Sequence, residues 1–290
     1  MEKDIIEFGD GDQDVSLMSL DDRMKFYEHQ GRKYLPVKEP VFIRLDGAHF
    51  HTFCNGFDKP FDDNLINAFK HTCLKLAENI QNVKLIYAQS DEITIMLNDF
   101  EGEKQSQWFE GNKQKIESIS ASMATAYFNE YMFDNYWGKV TSRTRKLATF
   151  DSRAWSLPRR QVANVFIWRQ MDCIKNSVSM HAQSLYSHNK LMHKSTNDKK
   201  VMIIEVGEDW NQLPTHKQRG FCIYKVEREI KIGQIPEKFN KKDLLERDGE
   251  FYFLRSKWFV DNEIPEFIKD QDFVWDKLAI PMPENHENVI

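Results

Sequence analysis

The pattern of apolar and polar residues divides the first half of the chain into alternating strand-like and helical segments. Short apolar runs typical of strands occupy residues 41–45, 83–88, 93–97 and 147–151. Five apolar residues between Leu65 and Ile80 recur at helical spacing, and a run rich in small residues, 112–133, predicts a second long helix. The order of elements from residue 40 to residue 151 is therefore β-α-β-β-α-β.

This order predicts an α+β fold, in which an antiparallel sheet carries helices on one face. It is the ferredoxin-like arrangement also found in polymerase palms, a comparison made at the level of fold. A helix is also expected near Leu20, where Asp21 can cap free N–H groups. We predict a poorly ordered acidic lead over residues 1–20, a palm-like catalytic domain over 21–155, and a C-terminal extension packed on the palm over 156–290.

The extension combines helical and strand-like patterns. A helix is predicted over 161–183, followed by an exposed polar and basic loop over 188–200. Strands are predicted near 201–206, 220–226 and 251–254. The tail, which begins at Glu263 and contains three prolines, Pro265, Pro281 and Pro283, is expected to wrap over the surface.

Composition narrows the class of protein. With 41% hydrophobic and 29% charged residues among 290, the chain reads as a globular protein, and no apolar run approaches the length of a membrane span. The acidic N-terminal residues are unlike a secretory signal, so a cytoplasmic location and no membrane partner are expected. The four cysteines include no Cys-x-x-Cys pair, and neither a His-Glu-x-x-His zinc motif nor a P-loop is present.

Two acidic signatures carry the candidate chemistry. Asp46-Gly47 follows the first strand, and Ser90-Asp91-Glu92 joins the second strand to the third. The simplest alternative is an ordinary pair of turns, where Asp-Gly and Ser-Asp are common. In the predicted sheet, however, both signatures share one edge, and Mg²⁺ binds to one or two carboxylates plus substrate phosphates.

We therefore predict a catalytic nucleotide–metal site at this edge. Asp46 and Asp91 would bridge two metal ions about 4 Å apart, with the Gly47 carbonyl as a third ligand. Glu92 is included among the catalytic carboxylates, although its position on the strand favours an indirect role or pairing with a cation. A triphosphate also needs cationic clamps, for which Lys59 and Lys115 are candidates, with Ser118 one turn further on. Solvated surface lysines are the alternative.

A basic cluster runs from the end of the predicted palm into the extension and is interleaved with aromatic residues, a composition suited to an RNA backbone and stacked bases. A solvated helix face is the alternative interpretation. The cluster comprises Arg153, Arg159, Arg160, Arg169, Lys175, His181, His188, Lys190, His193 and Lys194.

Taken together, these motifs resemble the tRNA-histidine guanylyltransferase superfamily, and more closely its branch of guanylyltransferase-like 3′-5′ RNA polymerases. The resemblance covers roughly residues 21–273. The motifs that carry it are Ile43-Arg44-Leu45-Asp46-Gly47-Ala48-His49-Phe50-His51, Lys59-Pro60-Phe61-Asp62, Gln89-Ser90-Asp91-Glu92, Lys115-Ile116-Glu117-Ser118, Phe150-Asp151-Ser152-Arg153 and Trp168-Arg169-Gln170-Met171-Asp172-Cys173.

The resemblance implies a polymerase-like palm and assigns roles to individual residues. It implies metal binding by Asp46, the Gly47 carbonyl and Asp91. The nucleotide-binding positions that it implies are Asp46, Gly47, Ala48, His49, Phe50, His51, Lys59, Ser90, Asp91, Lys115 and Ser118. With the basic cluster, the RNA-binding positions become Arg153, Arg169, Lys175, Asn176, Ser177, His181 and His188. The implied cofactor is Mg²⁺, two or more ions, and the implied state is a homotetramer.

One departure bears on the reaction. Guanylyltransferases proper carry His-Ile-Asn-Asn-Leu-Tyr-Asn-Thr after the tryptophan motif, whereas this chain has Ile174-Lys175-Asn176-Ser177-Val178-Ser179-Met180. The resemblance then implies template-directed addition of nucleoside triphosphates to the 5′ end of tRNA, after activation by ATP, rather than addition of a single G from GTP. A guanylyltransferase proper that adds a single G at position −1, an inactive RNA-binding relative and a cyclase-like palm remain the alternatives.

Overall fold

A computed structural model describes residues 17–98, 106–136, 146–232, 245–247 and 249–278. Its centre is an antiparallel sheet with the strand order β4-β1-β3-β2-β5-β7-β6. The strands are β1 (Val41–Gly47), β2 (Val83–Gln89), β3 (Glu92–Leu97), β4 (Phe150–Ser156), β5 (Phe221–Ile232), β6 (Leu245–Arg247) and β7 (Glu250–Asp261).

Helices cover the sheet and connect its strands. They are α1 (Leu20–His29), α2 (Phe50–Phe53), α3 (Asp63–Asn79), α4 (Lys113–Asn135), α5 (Val162–Leu185), α6 (His188–Leu191), α7 (Thr196–Glu205), α8 (Thr215–Arg219) and α9 (Asp272–Leu278). Their starts follow capping rules: the Ser19 hydroxyl accepts a hydrogen bond from the Asp22 N–H at α1, and the Asp62 carboxylate accepts from the Asn64 and Leu65 N–H groups at α3. The predicted helix near Leu20 is present, but Ser19 caps it rather than an aspartate.

Strand alternation builds a core on each face of the sheet. On β1, Ile43 and Leu45 belong to the core that also contains buried residues of α3 and α4. Phe42, between Val41 and Ile43 in sequence, belongs to a second core formed with α5 and α9. Successive side chains of a strand point to opposite faces, so β1 is apolar throughout its first five positions except at Arg44.

The mixed helix and antiparallel-sheet class is confirmed, and the comparison with a polymerase palm stays a prediction. Helices lie on both faces rather than one, because α5 covers the face opposite α3 and α4. Strand β5 pairs with β2, so the sheet continues across the predicted boundary at residue 155. The division into a palm domain and an extension also stays a prediction. Residues 1–16 of the predicted lead lie outside the described residues.

Two sequence predictions in the extension were wrong. Residues 201–205 belong to helix α7 rather than a strand, and 188–200, although mostly exposed, contains α6 and the start of α7 rather than a loop. A capping box between Ser195 and Asp198 starts α7, and Ile203 packs into a small core with Trp210. The β-branched residues of 201–206 suggested a strand, but burial of one helical face decides the conformation.

Other boundaries moved. Strand β4 begins at Phe150 rather than residue 147, and β5 and β7 each run for 12 residues, well beyond the predicted 220–226 and 251–254. The tail includes helix α9, whose Trp275 is buried in the second core, while Pro281 and Pro283 lie outside the described residues. No helix in the described part of the chain is long and apolar enough to cross a membrane.

Candidate functional site

The two acidic signatures meet at one end of the sheet. Asp46 lies opposite Glu92 in the β1–β3 register, and Asp91 occupies the turn between β2 and β3. The Gly47 N–H donates a hydrogen bond of 3.0 Å to the Asp91 carbonyl, which ties this turn to the end of β1. The predicted juxtaposition of Asp46 and Asp91 is thus a property of the strand register.

The electrostatics of this pair suit a bound cation. Burial raises the pKa of the Asp91 carboxyl, and the nearby charge of Asp46 raises it further. Neither carboxylate forms an ion pair within the described residues. Two carboxylates that repel each other without a compensating cation fit Mg²⁺, which needs only one or two protein carboxylates when substrate phosphates supply other ligands. No group of three or more metal-ligating side chains occurs in the same described ranges.

Gly47 is required where β1 turns into α2. A Cβ on Gly47 would lie 2.2 Å from Cδ2 of Phe50, so the Phe50 ring occupies the space beside the glycine. Phe50 packs in turn on Phe53, Phe69, Phe128 and Phe150. The Ala48 N–H donates to the Thr149 carbonyl at 2.8 Å, and His49 adopts a left-handed conformation at the start of α2. The buried aromatic cluster therefore fixes the backbone that follows Asp46.

A cavity of about 410 Å³ adjoins the acidic pair. It lies between the α2–α3 connection, the β2–β3 turn, α5 and α8. Five of the predicted nucleotide-binding residues line it, namely Phe50, His51, Lys59, Ser90 and Asp91. Burial raises the pKa of the Cys54 thiol in its wall to about 11, with Asp91 and Asp62 adding to the effect. The thiol is therefore protonated at neutral pH and is a poor nucleophile.

The opposite wall of the cavity comes from α5 and α8. Asn176 and Ser177, which the sequence assigned to RNA, line the cavity instead, as do His216 and Lys217. Burial lowers the pKa of His216, and the charges of Lys70 and Lys217 lower it further. Sequence reasoning missed His216 and Lys217, because only the packing of α8 on α5 brings them beside Lys59, more than 150 residues away in the chain.

Comparison with known proteins identifies the family of this chain. The family model for tRNAHis guanylyltransferase (Thg1) matches residues 21–158. The solved structure of a bacterial tRNA(His) guanylyltransferase (Thg1)-like protein in complex with ATP is 42% identical, with a TM-score of 0.75, and covers 91% of this chain and 100% of that one. The chain belongs to the Thg1 superfamily. It is a nucleotidyltransferase of the tRNA guanylyltransferase-like type.

Two further matches show how similar the chain is to other Thg1 proteins. A bacterial Thg1-like protein in complex with GTP is 42% identical, with a TM-score of 0.71 and the same coverage of 91% and 100%. The tRNA(His) guanylyltransferase 1 of Arabidopsis thaliana is 25% identical over 221 residues, which are 71% of this chain and 37% of that protein. The identity to the bacterial Thg1-like structures is thus the higher of the two.

In this Thg1 chain Glu92 is an internal partner of Arg169. The Arg169 Nε and one Nη each donate to a Glu92 carboxylate oxygen at 2.6 Å, and the guanidinium also contacts Asp172 at 2.9 Å. Both side chains of the Glu92–Arg169 pair are buried. Glu92 is therefore occupied by a cation, as its sequence position favoured, and is not an open ligand beside Asp46.

Three of the residues predicted to bind RNA are buried. Arg169, Ser177 and His181 are buried, at 6%, 4% and 2% exposure, and each side chain forms at least one hydrogen bond within the protein. The Ser177 hydroxyl donates to the Lys217 carbonyl and accepts from the Trp210 indole, while a ring nitrogen of His181 lies 2.6 Å from Glu208. The remaining members of the predicted set are exposed, namely Arg153, Lys175, Asn176 and His188.

Lys115 and Ser118 are not brought to the acidic pair. They lie near the start of α4, where Glu117 accepts a hydrogen bond from the Ala154 N–H, toward the far end of β4. Thr125, ten residues after Lys115 and hence about 15 Å along the helix, is the residue that contacts Phe150 beside Gly47. Helix α4 also covers the face of β1 that carries Leu45, whereas alternation places Asp46 on the other face.

Proposed function

We propose that this Thg1 protein is a template-directed 3′-5′ nucleotidyltransferase that adds nucleotides to the 5′ end of tRNA. The observation that carries the proposal is the cavity of about 410 Å³ that opens onto Asp91 and is lined by Lys59, His51 and Ser90. Its residues suit a nucleoside triphosphate, because a cation, hydroxyl and imidazole can hold phosphates while apolar walls enclose the base. The 42% identical bacterial relatives are described in complexes with ATP and with GTP.

Asp46, Asp91 and the Gly47 carbonyl are the residues that would hold Mg²⁺. When bound, the ions supply charge stabilisation for the attacking and leaving oxygens of a phosphoryl transfer. The protein's own part is positioning: the Gly47–Asp91 hydrogen bond fixes the backbone that carries the two carboxylates, and Lys59 and His51 orient the phosphates from the cavity wall. Glu92 supports the site from inside through Arg169.

The proposed reaction has two transfers. An oxygen of the RNA 5′-monophosphate attacks the α-phosphorus of ATP, which releases pyrophosphate and leaves an adenylylated 5′ end. The 3′-hydroxyl of an incoming nucleoside triphosphate then attacks the 5′-phosphorus of the RNA and releases AMP. The new residue carries its triphosphate at the extended 5′ end. Both transfers are in-line displacements whose catalysis rests on alignment and charge neutralisation.

Addition of a single G to histidine tRNA is the second candidate function. The tRNAHis guanylyltransferase family model favours it, since its match spans the segment that carries Asp46 and Asp91. The higher identity to the Thg1-like structures and the replacement of the motif histidine by Ile174 favour templated addition.

A 5′-extension assay separates the two functions. The purified protein, Mg²⁺ and ATP are incubated with tRNA transcripts that lack one 5′ nucleotide, with each of the four nucleoside triphosphates and each opposing base. We expect the added nucleotide to follow the opposing base. Addition of G alone, on full-length histidine tRNA and regardless of the opposing base, would establish the second function instead. A cyclic nucleotide formed from triphosphate alone, or no turnover, would contradict both.

Assembly and location are further parts of the proposal. The family resemblance leads us to expect a homotetramer, which light scattering during size-exclusion chromatography measures directly. We expect the enzyme to act in the cytoplasm, a prediction that imaging of the tagged protein tests. The exposed Arg153, Lys175 and His188 are the candidates for contacts with tRNA.

A further inference from the structure

A second charged row crosses the sheet beside the acidic pair. Arg44 precedes Asp46 by two residues, so its side chain shares the face of β1 that carries Asp46, roughly 7 Å along the strand. In the β1–β4 register Arg44 lies opposite Arg153, and Asp46 lies opposite Asp151. Two arginines therefore stand side by side next to the candidate metal ligands. We call Arg44, Arg153 and Trp168 the arginine shelf.

The charge of the shelf is incompletely balanced. The Arg44 Nε is buried and has no hydrogen-bond partner in the part of the chain that the structure describes. Within the described ranges, Arg153 forms an ion pair with Asp151 alone, at 3.8 Å, and both side chains are more than half exposed. Like charges directly opposite each other destabilise a sheet, so the protein retains this pair at a cost in stability. An anion seated between the two guanidinium groups would relieve that cost.

Trp168 supplies an aromatic surface at the same place. Its side chain on α5 is 53% exposed, an unusual position for so large an apolar group. The Cζ of Arg169 lies 4.5 Å from the centre of the indole, and that of Arg44 lies 5.7 Å from it. Because Glu92 holds Arg169 by two hydrogen bonds, the guanidinium beside the indole is fixed. Exposed aromatic rings beside arginines are the usual platforms for single-stranded bases.

The shelf and the cavity lie on opposite sides of the acidic pair. In the strand order β4-β1-β3-β2-β5, the arginines belong to β1 and β4, the acidic pair to β1 and the β2–β3 turn, and the cavity to β2 and β5. A nucleotide in the cavity and an anion on the shelf would therefore approach the same two carboxylates from two directions. A reaction that joins a nucleotide to an RNA end needs this arrangement.

We propose that the arginine shelf binds the 5′ end of the acceptor RNA, with Arg44 and Arg153 on its 5′-phosphate and Trp168 stacked on its terminal base. The assignment rests on the proposed function, since it supplies the second reactant of that reaction. A second nucleoside triphosphate shares this chemistry, since it offers both phosphates and a base, and the binding experiments below separate it from an RNA end. Trp168 and Arg44 are then positioning residues for the acceptor.

Equilibrium binding tests the shelf without requiring turnover. The probe is a tRNA transcript lacking one 5′ nucleotide, labelled at its 3′ end and prepared with either a 5′-monophosphate or a 5′-hydroxyl. We expect the wild-type protein to bind the monophosphate form more tightly, and Arg44→Gln to lose that preference. Arg44→Lys, which keeps the charge, should retain part of it. Arg228→Gln, on the exposed part of β5, is the matched control and should bind as wild type does.

The indole is tested in the same way. Trp168→Ala should weaken binding of the monophosphorylated transcript by roughly 5- to 150-fold, the range that stacking on one base supports, and Trp168→Phe should recover most of it. ATP affinity, measured by titration calorimetry, should stay unchanged in both variants because the cavity does not include Trp168. Urea unfolding of each variant identifies a loss of fold.

Several outcomes would overturn the assignment. The first is a wild-type protein that binds the 5′-hydroxyl transcript more tightly than the 5′-monophosphate transcript. The second is a folded Arg44→Gln variant that keeps the full preference for the 5′-monophosphate. The third is a Trp168→Ala variant that loses RNA affinity and ATP affinity to the same extent. If the free triphosphate is the true ligand, Arg44→Gln lowers nucleotide affinity and leaves RNA discrimination intact. Failure of the proposed function is distinguishable, since the wild type would then show phosphate-dependent RNA binding with no 5′ extension.

Discussion

Asp91 and Glu92 are consecutive carboxylates with opposite surroundings. Asp91 stands in the β2–β3 turn beside the cavity, and no ion pair neutralises it within the described residues. Glu92 begins β3, is buried, and is held by Arg169 through two hydrogen bonds of 2.6 Å. These neighbouring residues therefore differ in role: the carboxylate of Asp91 is available to a ligand, whereas the carboxylate of Glu92 is neutralised within the fold.

The difference shows where the protein accepts a cost in stability. A partly buried carboxylate without an ion-pair partner is unfavourable, and burial, followed by the charge of Asp46, raises the pKa of Asp91. A paired buried carboxylate costs desolvation but is satisfied as long as its partner remains. Loss of Asp91 should therefore affect chemistry, whereas loss of Glu92 should affect folding.

The largest effect is expected at the acidic pair. Asp46→Asn or Asp91→Asn should lower the rate of 5′ extension by at least about 1,000-fold, because charge stabilisation by bound metal is worth several kcal/mol. Single-turnover assays with saturating RNA and ATP measure this rate. Stability should stay equal or rise slightly, since each change removes repulsion between the carboxylates.

Urea unfolding and RNA binding are the controls for the acidic pair. Both should resemble the wild type in the asparagine variants. An extension rate within tenfold of wild type in either folded variant would contradict the assignment of Asp46 and Asp91 as metal ligands.

Glu92→Ala should produce the reverse result. Removing one partner of a buried ion pair leaves an uncompensated charge and typically costs 3–5 kcal/mol, so we expect the free energy of unfolding to fall by about 3 kcal/mol, the lower limit, since Asp172 still contacts Arg169. Urea unfolding at neutral pH measures it. RNA affinity should also fall, because Arg169 supports Trp168.

A double variant separates charge from packing at this site. Replacing the pair by apolar residues, Glu92→Leu with Arg169→Met, removes both charges and should recover most of the stability. If Glu92→Ala is as stable as wild type but inactive, Glu92 acts on the substrate and the comparison between the two carboxylates fails.

The sequence was sufficient to predict that Asp46 and Asp91 lie together, but not to predict the surroundings of these two carboxylates. Short continuous apolar runs located β1, β2 and β3, and Asp46 and Asp91 followed from their ends, since strand register alone brings them together. The burial of Arg169 could not be predicted from the sequence around it, because an arginine that pairs with Glu92 and an arginine that binds RNA can have the same basic neighbours. Arg169 is buried because it pairs with a carboxylate 77 residues away in the chain.

The errors in the extension have a similar cause. Residues 201–206 have strand propensity, yet Ile203 packs in a helix because Trp210 and Leu191 provide a core for one face. Lys217 lines the cavity because of the way α8 packs. This helix has only five residues, too few to show a helical pattern of apolar residues in the sequence. Local pattern predicts elements well where a strand is buried on both faces and poorly where short helices pack on one another.

A smaller effect is expected from the backbone that joins the acidic pair to the aromatic cluster. Gly47→Ala would place a methyl group 2.2 Å from the Phe50 ring, so the ring must move within a packed core. Overpacking of this kind costs about 1–3 kcal/mol of stability, which urea unfolding measures. The extension rate should also fall, since the shift reaches Asp46. Gly31→Ala, with no atom within 4 Å of the added methyl, is the control and should leave both unchanged.

The smallest effect is expected in how the stability contributed by Asp91 depends on pH. Burial, with the charge of Asp46, raises its pKa in the folded protein above the ordinary value of 3.8. A carboxyl whose pKa rises on folding contributes stability that is fully present below the unfolded pKa and is lost as pH rises through the folded pKa. Between about pH 4 and neutrality, the wild type should therefore lose stability relative to Asp91→Asn. Urea unfolding of both proteins across this range measures the difference, and added Mg²⁺ should reduce it by favouring the ionised form.

Glu92→Gln is the control, because it changes the neighbouring carboxylate that Arg169 already neutralises, and it should not raise stability at neutral pH. A difference that is constant with pH, or that grows as pH falls, would mean that Asp91 is as well compensated as Glu92.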